Sequence, residues 1–308
     1  MVTGPYTDTM PYFAGLAVRV RPCAWVNMYD RFCLNTATIK NAPLDLQIEL
    51  AREAGFRQIG LWLKDVEAAM QQGKSLDEIK KHLDSAGLRV AEFCFLKGWQ
   101  DAGSAQLQEV LKQTHHICEV SRGLGCEIVV TIPAGEPGWL NGAPERFRQV
   151  CQVAAEYGVR IALEFPGIAP EVKDLRSARD LVSAAACPNG GLVIDTFHFF
   201  LGGSRIEDFQ NVAPEEIFLV HVSDAMNLPM EKLRTPHDNR TFPGDGIIDL
   251  APIFKQLDRL RYKGAISLEI WNGELQQANP AEVVRKGWES LQKMGSAFPN
   301  NRTLVAEG

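Results

Sequence analysis

The sequence predicts a single (β/α)8 barrel, with an extension over residues 1–30 before it, the barrel over 31–296 and a tail over 297–308. Three observations carry this. Eight short apolar runs alternate with helix-period stretches from about Arg31 onward. Several of those stretches end on a glycine, as Ala54-Gly55, Ala86-Gly87, Leu124-Gly125 and Tyr157-Gly158, the signal of a helix closed by a left-handed residue. A length of 308 residues is ordinary for one barrel, which needs about 250.

In order, the strand candidates are Phe32–Thr36, Gln58–Trp62, Val90–Phe95, Ile128–Ile132, Arg160–Phe165, Leu192–Asp195, Phe218–Val222 and Ala265–Ile270. Between them run amphipathic stretches such as Leu44–Ala54, Ser75–Ala86, Gln106–Leu124, Ala143–Tyr157 and Leu250–Leu260. Near-continuous apolar strands separated by helices indicate a parallel sheet buried on both faces. A doubly wound open sheet is the alternative, but no GxGxxG follows the first strand, and eight β/α units suit closure.

Composition narrows the partners. The chain is 45% hydrophobic and 23% charged, with a formal net charge of −6. That balance argues against a duplex nucleic-acid surface, which needs a basic stripe. It leaves an uncharged polyol or keto-sugar acceptable as a partner, and it leaves room for a homo-oligomer. No apolar run reaches the roughly 18 residues of a membrane span. The first thirty residues are interrupted by Pro5, Pro11, Pro22, Arg19 and Arg21, a poor signal peptide. Seven cysteines, odd in number and never spaced CxxC, fit reduced thiols and a cytoplasmic location. Cys33, Cys94 and Cys126 read as small core residues.

The chemistry appears as a positional regularity. In Ile161-Ala-Leu-Glu164, Leu192-Val-Ile-Asp195, Phe218-Leu-Val-His221 and Ile266-Ser-Leu-Glu269, an apolar strand runs into one ionisable residue. These are the fifth to eighth strands, and strand C-termini form the active-site rim of this fold. Any one of the four has a plainer reading, as a rim carboxylate, a helix cap or a core histidine. On four successive doubly buried strands they must be paired or ligated, since a bare buried charge costs several kcal/mol. Three carboxylates and an imidazole suit one divalent ion, Mn²⁺ first, with Mg²⁺, Co²⁺ or Zn²⁺ as alternatives.

Further residues gather around these. His198, three beyond Asp195, would donate to substrate oxygens; its plainer reading is a surface loop histidine. Asp224, three beyond His221, would either orient that imidazole or cap the following turn. Arg240 opens Arg-Thr-Phe-Pro-Gly-Asp-Gly, where a turn brings backbone close to a ligand, and would clamp a substrate hydroxyl; otherwise it is a solvated arginine on a structural turn. Among the aromatic residues near strand ends (Trp62, Phe95, Trp99, Phe197 and Trp271), Trp62 and Trp271 are the ones expected to wall a sugar pocket.

The motifs Gly158-Val-Arg-Ile-Ala-Leu-Glu-Phe, Gly191-Leu-Val-Ile-Asp-Thr-Phe-His-Phe, Ile217-Phe-Leu-Val-His and Arg240-Thr-Phe-Pro-Gly-Asp-Gly-Ile-Ile-Asp-Leu, with Leu34-Asn-Thr-Ala-Thr at the first strand, resemble the xylose-isomerase-like sugar phosphate isomerase/epimerase family. The resemblance is densest from Gly158 to Glu269. It implies a barrel holding one divalent metal through Glu164, Asp195, His221 and Glu269, with His198 and Arg240 touching substrate. It implies isomerase or epimerase activity on a ketose or keto-inositol (inosose). The expected mechanism is proton transfer through a metal-stabilised enediolate, with Glu164 and Glu269 as the two carboxylates that abstract and return the proton. The chain departs from the family's inositol-processing members in the extension, in Lys97-Gly-Trp-Gln and in Trp271-Asn-Gly-Glu, loops that should touch substrate. Competing readings are a metal-dependent dehydratase of an inosose or a dehydroshikimate-like substrate, an apurinic endonuclease, and a non-catalytic sugar-binding subunit. Six histidines are few for the endonuclease's three-metal cluster.

Overall fold

A computed structural model describes residues 28–133, 137–235 and 239–296. The extension over 1–30, apart from its last three residues, and the tail over 297–308 thus lie outside the described residues. The strands are β1 (Phe32–Asn35), β2 (Gln58–Trp62), β3 (Arg89–Leu96), β4 (Ile128–Thr131), β5 (Arg160–Glu164), β6 (Gly190–Asp195) and β7 (Ile217–Val222). A short antiparallel ribbon of β8 (Asp224–Ala225) and β9 (Arg240–Thr241) precedes β10 (Ile266–Leu268). The strands β1 to β7 and β10 close into a barrel in the order β1-β10-β7-β6-β5-β4-β3-β2, all pairs parallel. Each of the eight predicted strands is present, with ends displaced by two residues or fewer.

The helices are α1 (Leu44–Ala54), α2 (Leu63–Gln71), α3 (Leu76–Ser85), α4 (Ser104–Gly123), α5 (Ala143–Glu156), α6 (Leu175–Ala185), α7 (Thr196–Gly202), α8 (Met230–Leu233), α9 (Leu250–Arg259), α10 (Gly273–Gln277) and α11 (Pro280–Ser296). All four glycines expected to stop a helix have positive φ. Start signals are equally local: Ser75 and Glu78 form a reciprocal capping box at α3. Helix α1 turns Leu44, Ile48 and Ala51 inward, the period-3.6 stripe that covers a sheet. Trp288 of α11 packs edge-on against Phe32 and Phe56, with ring centroids 5.8 and 4.9 Å apart, joining the last helix to the first strand.

Inside the barrel, Cys33, Cys94, Val130, Ala162, Val193 and Leu219 form one buried apolar cluster. Side chains alternate across a strand, so two residues beyond Ala162, Val193 and Leu219 the same faces carry Glu164, Asp195 and His221. The apolar plug is therefore the floor on which the polar site stands.

Candidate metal centre

Glu164 ends β5, Asp195 ends β6, His221 stands one short of the end of β7, and Glu269 follows β10 directly. All four are buried, and one ligand atom from each lies within 4.8 Å of the others. From His221 Nδ1 it is 3.1 Å to Glu164 Oε1, 3.4 Å to Glu269 Oε2 and 4.0 Å to Asp195 Oδ2. Ligands bound at about 2 Å to one ion are separated by such distances. Three buried carboxylates and one imidazole make a donor set that a divalent cation fits. The strand-end reading from sequence thus meets in space.

The surroundings split the carboxyls. Burial pushes Glu164 up to about 8, against the pull of His221 and with a push from Glu269. Burial acts the same way on Asp195, yet Arg240 holds it below the usual carboxylate range. Glu269 is also held low despite burial, by His221 and Arg240. His221 is raised well above its ordinary value: burial opposes the proton, but Glu92, Glu269 and Glu164 retain it.

Arg240 is brought in by the ribbon. Its Nη1 donates to Asp195 Oδ2 at 2.7 Å and Glu269 Oε2 at 3.2 Å, and its guanidinium lies 4.9 Å above the Phe197 ring. His198 sits in the first turn of α7, where Asp195 caps the helix by accepting from His198 N at 2.8 Å. Its Nδ1 accepts from Gly167 N at 3.1 Å. Burial lowers its pKa to about 4, so the neutral ring carries its hydrogen on Nε2. That N–H faces Arg240 Nη2 at 3.1 Å, donor toward donor, and an oxygen reaching both would satisfy each.

Above the carboxyls opens a cavity of about 620 Å³. Glu164 and Glu269 line it, whereas Asp195 and His221 do not; His198, Arg240, Trp62 and Trp271 complete its polar corner and aromatic wall. Trp62 stacks on Phe95 at 5.5 Å and meets Trp271 edge-on at 5.6 Å. Lys97, Gly98 and Gln100, from the loop expected to touch substrate, line it too, with Lys97 Nζ 4.9 Å above the Phe95 ring. Trp99 does not: it is wholly buried, and its Nε1 donates to Thr131 Oγ1 at 2.7 Å. Phe197 serves as a platform under Arg240.

One expected role falls elsewhere. Asp224 does not orient His221. Three positions along an extended chain place it on the other side, where Oδ1 accepts from Ala225 N and Ile248 N (2.8 Å each) and Oδ2 from Gly244 N (3.0 Å) and Gly246 N (3.1 Å). It clasps the turn that follows Arg240. The group touching the far side of His221 is Glu92 of β3, whose Oε2 lies 2.6 Å from Nε2. Mid-strand, Glu92 carries no strand-end signal; its one mark in the sequence is a single acid inside the run Arg89-Val-Ala-Glu-Phe-Cys-Phe-Leu. Cys33 and Cys94 are indeed buried core residues, but they also flank this carboxyl. The histidines His82, His115 and His116 engage Asp45, Tyr157 and Glu67 on the outer helices, away from the site.

Comparison with known proteins agrees with this architecture. The profile of a family described as "Xylose isomerase-like TIM barrel" matches residues 48–294. An inosose isomerase of Bacillus velezensis is 26% identical over 277 residues, 87% of this chain and 98% of that protein. A 3-dehydroshikimate dehydratase of Pseudomonas aeruginosa is 26% identical over 257 residues, covering 82% of this chain and 40% of that protein. A crystal structure of an IolI protein with a bound zinc atom superposes with a TM-score of 0.81 and 24% identity, covering 87% of this chain and 99% of that one.

Proposed function

The chain belongs to the xylose isomerase-like TIM barrel family, and on that premise we propose that it is a divalent-metal-dependent isomerase or epimerase of a ketose or inosose. The observation that carries the reading is the convergence of Glu164, Asp195, His221 and Glu269 within 4.8 Å at the foot of an aromatic-walled cavity. Those four residues would hold the ion, and their mixed oxygen and nitrogen donors suit Mn²⁺, Mg²⁺, Co²⁺ or Zn²⁺. A divalent cation there supplies a counter-charge for the oxyanion that develops when a carbon beside a carbonyl loses its proton.

Proton movement falls to Glu164 and Glu269, the two ligating carboxyls that also line the cavity. Both would act as proton carriers beside the ion, one abstracting and the other delivering. One of the two takes the proton from the carbon beside the carbonyl, and the other delivers a proton of its own. Delivered to the former carbonyl carbon, with the hydroxyl proton passing to the former carbonyl oxygen, it moves the carbonyl; delivered to the opposite face of the same carbon, it inverts that centre. His198 Nε2–H and Arg240 Nη2 converge where a substrate oxygen would sit. Trp62 and Trp271, which line the cavity, would give apolar ring surface to the C–H side of a polyol.

The test is incubation of the purified protein with candidate ketoses and inososes in heavy water. The reading requires solvent deuterium at an α-carbon of at least one of them, with the rate falling by about 10²–10⁴ in Glu269→Gln. The similarity to a dehydratase supports a second reading, loss of water from an inosose or a dehydroshikimate-like substrate. A product lighter by one water molecule would select it.

A further inference from the structure

We infer that Glu92 is the positioning residue that presents His221 Nδ1 to the other three ligands, and that Gly60 is what allows it to stand there; the inference rests on the metal-site reading above. Glu92 lies mid-strand in β3, wholly enclosed, where a carboxyl is costly unless its oxygens are satisfied. They are. Oε2 receives His221 Nε2–H at 2.6 Å, while Oε1 accepts from Ser267 Oγ at 2.5 Å and from Asn35 Nδ2 at 3.2 Å. The donors come from β7, β10 and β1, so one carboxylate reaches from β3 across the barrel interior to three other strands.

The consequence for His221 is a choice of tautomer. To ligate an ion the ring must give up one proton, and it then carries one N–H. With that hydrogen on Nε2 and given to Glu92, the lone pair belongs to Nδ1, the nitrogen nearest Glu164 and Glu269. A carboxylate on the distal nitrogen also strengthens the ring as a ligand.

Gly60 is matched to this. Along β2 and β3, Ile59 pairs with Val90 but Gly60 pairs with Glu92, so the register skips Ala91 and turns the acid inward beside the glycine. A methyl group on Gly60 would lie 2.7 Å from Glu92 Cγ and 2.8 Å from Cδ. Three anchoring donors leave the carboxyl no other direction to move.

The test titrates Co²⁺ alone into the wild type, Glu92→Ala, Glu92→Gln, Gly60→Ala and the Gly60→Ala/Glu92→Ala double variant, reading visible absorption of the bound ion alongside thermal melts. Expected are a folded Glu92→Ala with Co²⁺ affinity lower by about 10–100-fold, and most of that loss recovered in Glu92→Gln, whose amide oxygen still accepts from Nε2–H. Gly60→Ala should behave as Glu92→Ala, and the double variant should regain the melting temperature but not the affinity. A folded Glu92→Ala that binds Co²⁺ as the wild type does overturns the inference alone, as does a Glu92→Gln no better than Glu92→Ala. If Glu92→Ala does not fold, Ser267→Ala decides: weakened Co²⁺ binding supports the inference and unchanged binding overturns it. A wild-type protein that takes up no Co²⁺ overturns the metal-site reading and this inference together.

Discussion

At the proposed metal site, Glu164 would make metal uptake depend on pH in a definite direction. Burial raises its carboxyl to about 8, and His221 is held protonated as well. A ligating atom must give up its proton before it can bind an ion. Affinity should therefore rise with pH toward about 8, with protons released on binding. Titrating Mn²⁺ at about pH 6 and about pH 8, in two buffers of different ionisation heat, measures both effects; equal affinity and no proton release would contradict the assigned ligands. His221→Ala should keep its fold and lose more affinity than the ~10–100-fold expected for an outer partner, as metal content after dialysis will report. The four proposed ligands are legible in the sequence because each follows an apolar strand at the one end where this fold collects its chemistry. Glu92 is not, because its meaning comes from β1, β7 and β10, far away in sequence, and only the register skip at Ala91 reveals which way it faces.

At the level of elements, Asp224 and the turn it clasps form the mount for Arg240. Gly246 is confined there: a Cβ would lie 2.6 Å from Asp224 Cγ and closer still to the backbone oxygen of Ala225. Gly246→Ala should therefore shift the ribbon and with it the guanidinium, at a cost of about 1–3 kcal/mol in stability. The expected kinetic result is a fall in kcat/KM with metal content preserved, checked by steady-state rates and metal analysis on the same preparation. Strand candidates were readable because apolar runs of four to eight residues are bounded by glycine and polar residues. Helices α2 and α6, absent from the stretches named from sequence, differ in their cues. Leu63 begins α2 directly after Trp62 with no side-chain cap and no intervening loop, so nothing local marks where the period changes from two to 3.6. By contrast, α6 opens on an Asp174–Ser177 box, a reciprocal cap with Ser in place of the Glu or Gln usually sought.

For the whole molecule, the ion and the fold should be linked. The ligands come from β5, β6, β7 and the end of β10, so an ion bound to all four stabilises the native barrel relative to the unfolded chain. At a free-ion concentration about 100 times Kd the gain is about 2.7 kcal/mol, several degrees in Tm for a chain of this size. Chelation followed by thermal melting measures it, and an unchanged Tm after verified metal removal would count against a site built from four strands. Among the described residues no helix is long and apolar enough to cross a membrane.

The barrel seam between β1 and β10 also orders events in time. As a ribosome extends the chain, Asn35, Gly60 and Glu92 emerge first and must wait, since the imidazole they serve is made more than a hundred residues later. Glu269 comes last of all, on the strand that meets β1. At the proposed metal site a nascent chain would have nowhere to place an ion until translation has nearly finished, so capture of a metal would act as a late checkpoint on a correctly closed molecule.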